Sequence, residues 1–312
     1  MFRTRHDLGS DKRLSACQFR NMDRRQFLKT SGIGLAASAI NPIRGFSAAS
    51  NQKRIYNAVK WTMIKGDMPV LDKFQMTKDA GFDGMSLMGH DWVTVKDVHK
   101  AQDKTGLPVH NVNDAYHWKV RLSDPDPSVR KQAKQDMQDT IKFANDVGAD
   151  SILLVVGKVT DPVNENHDQV WERSTEAIVD TLPLASRLGV RILFENVGND
   201  FCYQPDLWNK YIDQFESPWV GAFYDIGNHH SRGGAAEWLR AVGHRIVKLD
   251  VKGHSTERKK NCDLFDGNVP WDKVREEIKR INFTGWATAE VSGGGLDRLT
   301  QVVERMNKAL GT

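Results

Sequence analysis

The chain has 312 residues, 39% apolar and 27% charged, an ordinary composition for a water-soluble globular protein and enough to bury a large core. Its formal charge of +4 is confined to the start: residues 1–49 hold nine Lys/Arg and three Asp/Glu, whereas the rest of the chain holds 35 and 37. A near-neutral body argues against the basic footprint of a nucleic-acid binder, so no nucleic-acid partner is expected.

In chain order, the first segment is unlike everything after it. "DRRQFLKTSGIGLAASAI" sets Arg24 and Arg25 ahead of Phe27-Leu28-Lys29 and a weakly apolar Gly/Ala stretch that ends at Ile40. Small residues follow at 47–50, offering a cleavage site after Ala49. A basic region, a short apolar region and a small-residue site together predict an export signal over residues 1–49. The Arg pair resembles a twin-arginine (Tat) signal, whose cargo crosses the membrane folded. The Gly/Ala stretch is too short to hold as a membrane anchor. The expectation is a periplasmic or otherwise exported protein that meets the Tat export machinery, with Met22 as an alternative start. Cys17 falls in this segment. Cys202 and Cys262 form no spacing motif and are expected unpaired.

From residue 50 the chain alternates steadily. Strand-like runs lie at 55–61, 83–88, 108–112, 151–156, 190–194, 219–224, 246–251 and 286–290. Polar segments of helical period follow them at 69–80, 94–105, 126–147, 168–187, 205–214, 235–243, 270–280 and 296–310. Several helices stop at a glycine turn, as in "DAGF", "DVGAD" and "RLGV". Strict βα alternation demands parallel strands joined by right-handed crossovers. Eight units in this length predict a single α/β domain over 50–312, a closed (β/α)8 TIM barrel. No Gly-x-Gly-x-x-Gly follows the first strand, so no nucleotide cofactor is expected.

Such barrels assemble their sites from the C-terminal strand ends and the loops beyond them. Strand five, "RILFE", ends in Glu195. Strand six ends "FYDIGNHH", with Asp225 at its tip and His229 and His230 beyond it. Strand seven, "IVKLDVKGH", carries Lys248, Asp250 and Lys252 on one face, with His254 further on. Strand eight ends at Glu290, before a Gly-rich loop. Four consecutive strands thus bring acids to one rim. Converging carboxylates repel one another and lose hydration unless a cation compensates, and hard divalent ions take oxygen donors.

The order Glu195, "YDIGN" with Asp225, "KLDVKG", then Glu290 resembles the xylose isomerase-like barrels, in particular the sugar phosphate isomerase/epimerase branch. "GFDGM" at 81–85 and "GNVPW" at 267–271 fit the same pattern. The resemblance spans about 55–310. It implies one divalent metal ion held by Glu195, Asp225, Asp250 and Glu290. Two departures stand out. Asp250 occupies the place of the family's usual strand-seven histidine, which favours Mn2+ or Mg2+ over softer Zn2+ and leaves His229 or His254 open as other ligands. Ser86 stands where an acid is common at strand two.

By the same resemblance, Glu195 and Glu290 act as base and acid around an enediolate. Lys252 and His110 are read as substrate contacts, with His229 and His254 as further candidates. Trp61 and Trp118 are candidate sugar-stacking residues, whereas His117 and the His90-Asp91 pair are weaker ones. The expected activity is a metal-dependent sugar isomerase or epimerase acting on an unphosphorylated sugar or keto-sugar. The alternatives are a keto-glycoside lyase or hydratase on the same site, and a non-catalytic carbohydrate-binding accessory protein. Metal-dependent nucleic-acid hydrolysis fits poorly with the near-neutral body. A homo-oligomer is among the states left open.

Overall fold

The computed structural model describes residues 54–312; the expected export signal lies outside the described residues. Ten strands and eight α-helices follow one another in the order the alternation requires. The strands are β1 (Ile55–Lys60), β2 (Gly84–Met88), β3 (Val109–Asn113), β4 (Ser151–Leu154), β5 (Arg191–Glu195), β6 (Val220–Asp225), β7 (Ile246–Val251), β8 (Gly253–Ser255), β9 (Lys260–Cys262) and β10 (Gly285–Ala289). The helices are α1 (Val70–Asp79), α2 (Val95–Thr105), α3 (Pro127–Asp146), α4 (His167–Leu188), α5 (Pro205–Asp213), α6 (Ala235–Val242), α7 (Trp271–Arg280) and α8 (Leu296–Leu310). Eight strands close a parallel barrel in the order β1-β10-β7-β6-β5-β4-β3-β2. The β8–β9 pair is an antiparallel hairpin in the connection between β7 and α7, an element the strand count did not anticipate.

The boundaries follow from local chemistry. Thr94 accepts the amide of Asp97 at the start of α2, and Asn166 forms a reciprocal capping box with Gln169 at the start of α4. Pro127 opens α3 at a position where a missing amide costs nothing. Gly106 and Gly189 end α2 and α4 in the left-handed conformation. The strands are buried on both faces, so they read as nearly continuous apolar runs. Their outward side chains, such as Met85, Val112 and Phe194, meet helix residues such as Phe74, Val98 and Tyr211. Each such fully buried side chain contributes about 1.5–3 kcal/mol. Among the described residues no helix is long and apolar enough to cross a membrane, and Cys202 and Cys262 are both free.

The barrel interior is more polar than its walls. The Lys248 ammonium donates to the Ser151 hydroxyl at 2.7 Å, to the His110 carbonyl and to the Asp150 carboxylate. Ser151 donates to Asn111 at 2.8 Å, and the Asn111 amide donates to Ser86 (2.9 Å) and Asn113 (2.7 Å). Ser86 donates in turn to Asn113 at 3.0 Å. A buried hydrogen-bond chain thus links inward positions of four strands, β7, β4, β3 and β2, and Ser86 sits there between the amide side chains of Asn111 and Asn113. Two register shifts arrange it. Met85 pairs with Val109 but Ser86 with Asn111, skipping His110; Ala222 pairs with Ile246 but Phe223 with Lys248, skipping Val247. Such bulges re-aim side chains. Gly84 of "GFDGM" is small because the Trp286 ring fills the space its Cβ would take, 2.6 Å away.

Candidate metal and sugar site

The four strand-end acids converge. One carboxylate oxygen each from Glu195, Asp225, Asp250 and Glu290 lies within 4.8 Å of every other. Three are buried, and the Glu290 side chain is 35% exposed. Local bonds aim them. Asp225 Oδ1 accepts the amides of Gly227 and Asn228, each at 2.8 Å. The Asn196 side chain clamps the Asp225 backbone through both its carbonyl and its amide. Asn228 donates to Glu195 Oε1 at 3.1 Å. The "YDIGN" motif therefore holds two of the acids. Its glycine leaves room for Lys252, whose Cγ would lie 2.7 Å from a Cβ there.

Two lysines are threaded among the acids. Lys60, the last residue of β1, places Nζ 2.7 Å from Asp250 Oδ2 and 2.8 Å from Glu290 Oε2. Lys252 places Nζ 2.8 Å from Asp225 Oδ2 and 3.2 Å from Glu290 Oε2. Burial works against the charge on both lysines, but the surrounding carboxylates outweigh it and hold both well above the usual lysine range. Burial also works against ionised Glu290, yet Lys60 and Lys252 hold it well below the carboxylate range. Burial, reinforced by Glu290, pushes Glu195 up. It pushes Asp250 and Asp225 up too, against the pull of Lys60 and Lys252 respectively.

The residues fit a divalent cation. Asp250 Oδ1 is fully buried with no hydrogen-bond partner, and Asp250 Oδ2 and Asp225 Oδ2 lie near ammonium groups without hydrogen-bonding geometry. With all four acids ionised, the two ammoniums leave two negative charges for a cation to offset. Oxygen-only donors suit a hard ion. Neither His229 nor His254 joins this group of acids.

A cavity of about 430 Å³ opens above the acids, lined among others by Lys60, Asn113, Asp114, His117, Trp118, Glu195 and Glu290. This volume falls in the roughly 300–1,000 Å³ range of small-molecule sites. A second hollow of about 370 Å³ shares Glu290, Val291 and Ser292 with it and is walled by Lys252, Asn261 and Cys262.

The other expected contacts are placed as follows. Trp118 lines the cavity and is 49% exposed. Trp61 does not line it: the ring is buried, under the Lys73 ammonium at 4.5 Å. His110 is turned into the barrel interior by the β3 bulge. It stacks on Trp286 with ring centroids 4.6 Å apart and lies 3.2 Å from the Thr288 hydroxyl, away from the cavity lining. His229 donates from Nε2 to the Val197 carbonyl at 3.1 Å and packs against Trp238. Burial lowers it to about 4. His254 sits in the β8–β9 hairpin, its Nδ1 2.8 Å from the Asn261 side-chain oxygen.

Two residues gain importance over their reading from sequence. Lys60 was detectable as the single charge closing the apolar run "IYNAVK", but the acids drew attention to strands five to eight. His117 is 7% exposed, lines the cavity and accepts the Val155 amide at Nδ1. Burial and the charge of Lys60 lower it to about 3, against the pull of Glu290. It is therefore neutral, with its proton on Nε2. Asp114 beside it is raised to about 7 by burial, although it accepts the Tyr116 amide at 3.0 Å.

Comparison with known proteins agrees with this geometry. The profile of the xylose isomerase-like TIM barrel matches residues 74–309. L-ribulose-5-phosphate 3-epimerase UlaE of Escherichia coli O1:K1 / APEC is 25% identical over 228 residues, covering 69% of this chain and 79% of that protein. Among solved structures, a D-tagatose 3-epimerase-like protein superposes with a TM-score of 0.73 at 14% identity, covering 82% of this chain and 97% of its own. The IOLI protein with a bound zinc atom superposes with a TM-score of 0.69 at 13% identity, covering 82% and 98%. Sugar epimerases are thus among the homologues.

Proposed function

The chain belongs to the xylose isomerase-like TIM barrel family, and from that premise we propose that it is a divalent-metal-dependent sugar epimerase or isomerase. It acts beside a carbonyl on an unphosphorylated sugar or keto-sugar, in the periplasm or another exported location reached through its Tat-type signal. The observation that carries this reading is the convergence of four acids, two of which, Glu195 and Glu290, also line the cavity.

A divalent ion held by Glu195, Asp225, Asp250 and Glu290 would supply a Lewis acid that polarises a carbonyl and tolerates the charge formed when the adjacent carbon loses its proton. Mn2+ or Mg2+ suits the all-carboxylate donors. The chain's own residues do the rest. Glu195 and Glu290 stand on β5 and just beyond β10, three strands apart round the barrel. One removes the carbon-bound proton and the other returns a proton. His117 donates a hydrogen bond from Nε2 to a substrate oxygen, and Trp118 offers an indole face to the sugar ring.

The test is incubation of the Mn2+-loaded protein in D2O with a panel of unphosphorylated ketoses and 3-keto-glycosides. Deuterium at the carbon beside the carbonyl, without loss or gain of water, is the expected outcome. Loss or gain of water would identify a lyase or hydratase instead. Inertness on the whole panel together with no stoichiometric Mn2+ would leave a carbohydrate-binding accessory protein.

A further inference from the structure

Four buried carboxylates cannot share one small volume unaided. With nothing to offset them, their mutual repulsion and lost hydration would oppose folding whenever the metal is absent. The structure contains the offset. Lys60 reaches from β1 past β10 to Asp250 on β7, and it touches Glu290 on the way. Lys252 joins Asp225 to the same Glu290 oxygen. The ammoniums therefore engage one oxygen each of Asp250, Asp225 and Glu290. The other oxygen of Asp250 is left buried without a partner.

We propose that Lys60 and Lys252 are the built-in counter-ions of this site: they keep it assembled without metal, and they set how tightly the metal binds. The inference rests on the metal-binding reading above and extends it to residues outside the ligand set. Asp250 and Lys60 form a matched pair. A carboxylate at Asp250 adds one negative charge relative to a neutral imidazole, and the Lys60 ammonium beside it removes that charge again. Asp250 is thereby divided, Oδ2 for the Lys60 ammonium and Oδ1 for the ion. Metal binding is consequently reversible, and the chelated protein stays folded.

The experiment is calorimetric titration of chelator-treated protein with MnCl2, alongside melting curves of the metal-free forms. A unit charge a few ångströms from the ion is worth at least a factor of about ten in affinity, even with strong screening. Lys60→Gln should bind Mn2+ about tenfold or more tightly than wild type and melt lower when metal-free. Asp250→His should bind about tenfold more weakly. The double variant Lys60→Gln/Asp250→His restores the original net charge and should return to within about threefold of wild type. That double variant carries the test if Lys60→Gln alone does not fold. Lys60→Gln binding no more tightly than wild type, or a double variant as weak as Asp250→His, overturns the counter-ion role while leaving the metal site standing. A wild-type protein that takes up no Mn2+ overturns both.

Discussion

The Val155 amide donates to Nδ1 of His117 at 3.3 Å, and this contact decides which nitrogen of the ring faces the cavity with a proton. A backbone amide can only donate, so Nδ1 must accept and the neutral ring carries its hydrogen on Nε2. The donor is thus fixed before any substrate arrives.

Loss of that donor should be visible in both activity and acid stability. His117→Gln is expected to lower kcat/KM on the accepted sugar by about 10–100-fold, the worth of one hydrogen bond to a developing charge. The ring titrates near 6.5 when unfolded and at about 3 in the fold, so the unfolded state binds the extra proton between those values. Its contribution is present above pH 6.5 and is lost as pH falls toward 3, by up to about 1.4 kcal/mol per pH unit. Urea unfolding at pH 7, 6 and 5 should show the stability of wild type falling more steeply with acid than that of His117→Gln. Parallel curves would remove the assignment.

Glu195→Gln and Glu290→Gln separate the chemistry from the fold. Each should lower kcat by at least about 100-fold, because each removes a proton-transfer group. The metal-free proteins should stay folded, with Glu195→Gln as stable as wild type or more so, since it removes a buried acid whose ionisation burial and Glu290 oppose. The stabilisation that Mn2+ gives wild type should shrink in both. A variant that keeps full turnover would exclude its glutamate from the reaction.

The two tryptophans should behave oppositely. Trp118→Ala removes a half-exposed ring from the cavity wall and is expected to raise KM by about 3–10-fold, with little change in melting temperature. Trp61→Ala removes a buried ring beneath Lys73 and should cost about 3–5 kcal/mol of stability, with KM unchanged in whatever protein remains folded. Steady-state kinetics alongside thermal melts would expose any reversal.

Ser86→Ala tests the polar interior. The hydroxyl both donates to Asn113 and accepts from Asn111. Its removal should destabilise the protein by about 1–3 kcal/mol, the cost of leaving buried amide groups underused. Denaturant unfolding at pH 7 measures this directly, and an unchanged midpoint would contradict it.

The barrel and the convergence of its acids were legible because both depend on periodicity. Strand ends recur at regular intervals, and in a parallel barrel all of them open on one face. Contacts that depend on a particular bulge or on a non-repeating connection were not. His110 reads as the residue closing strand three, yet a one-residue register shift turns it inward to stack on Trp286. Trp61 adjoins a strand end but packs beneath α1, because the chain turns sharply after Lys60. The β8–β9 hairpin is only three residues per strand and carries no apolar alternation, so nothing in its pattern announces it. Lys60 was hidden differently: a lysine at a strand end is ordinary unless the acids that surround it, supplied by the later strands, are seen together with it.

Lys248 carries one last consequence. Its ammonium starts on β7 and is satisfied only by Ser151, Asp150 and the His110 carbonyl, groups that belong to the first half of the barrel. Neither half-barrel on its own makes these bonds: in the later strands the ammonium, and in the earlier ones its acceptors, would have to be met by water. The closed ring alone brings the cation and its three acceptors together, so these bonds tie the two halves of the barrel to each other.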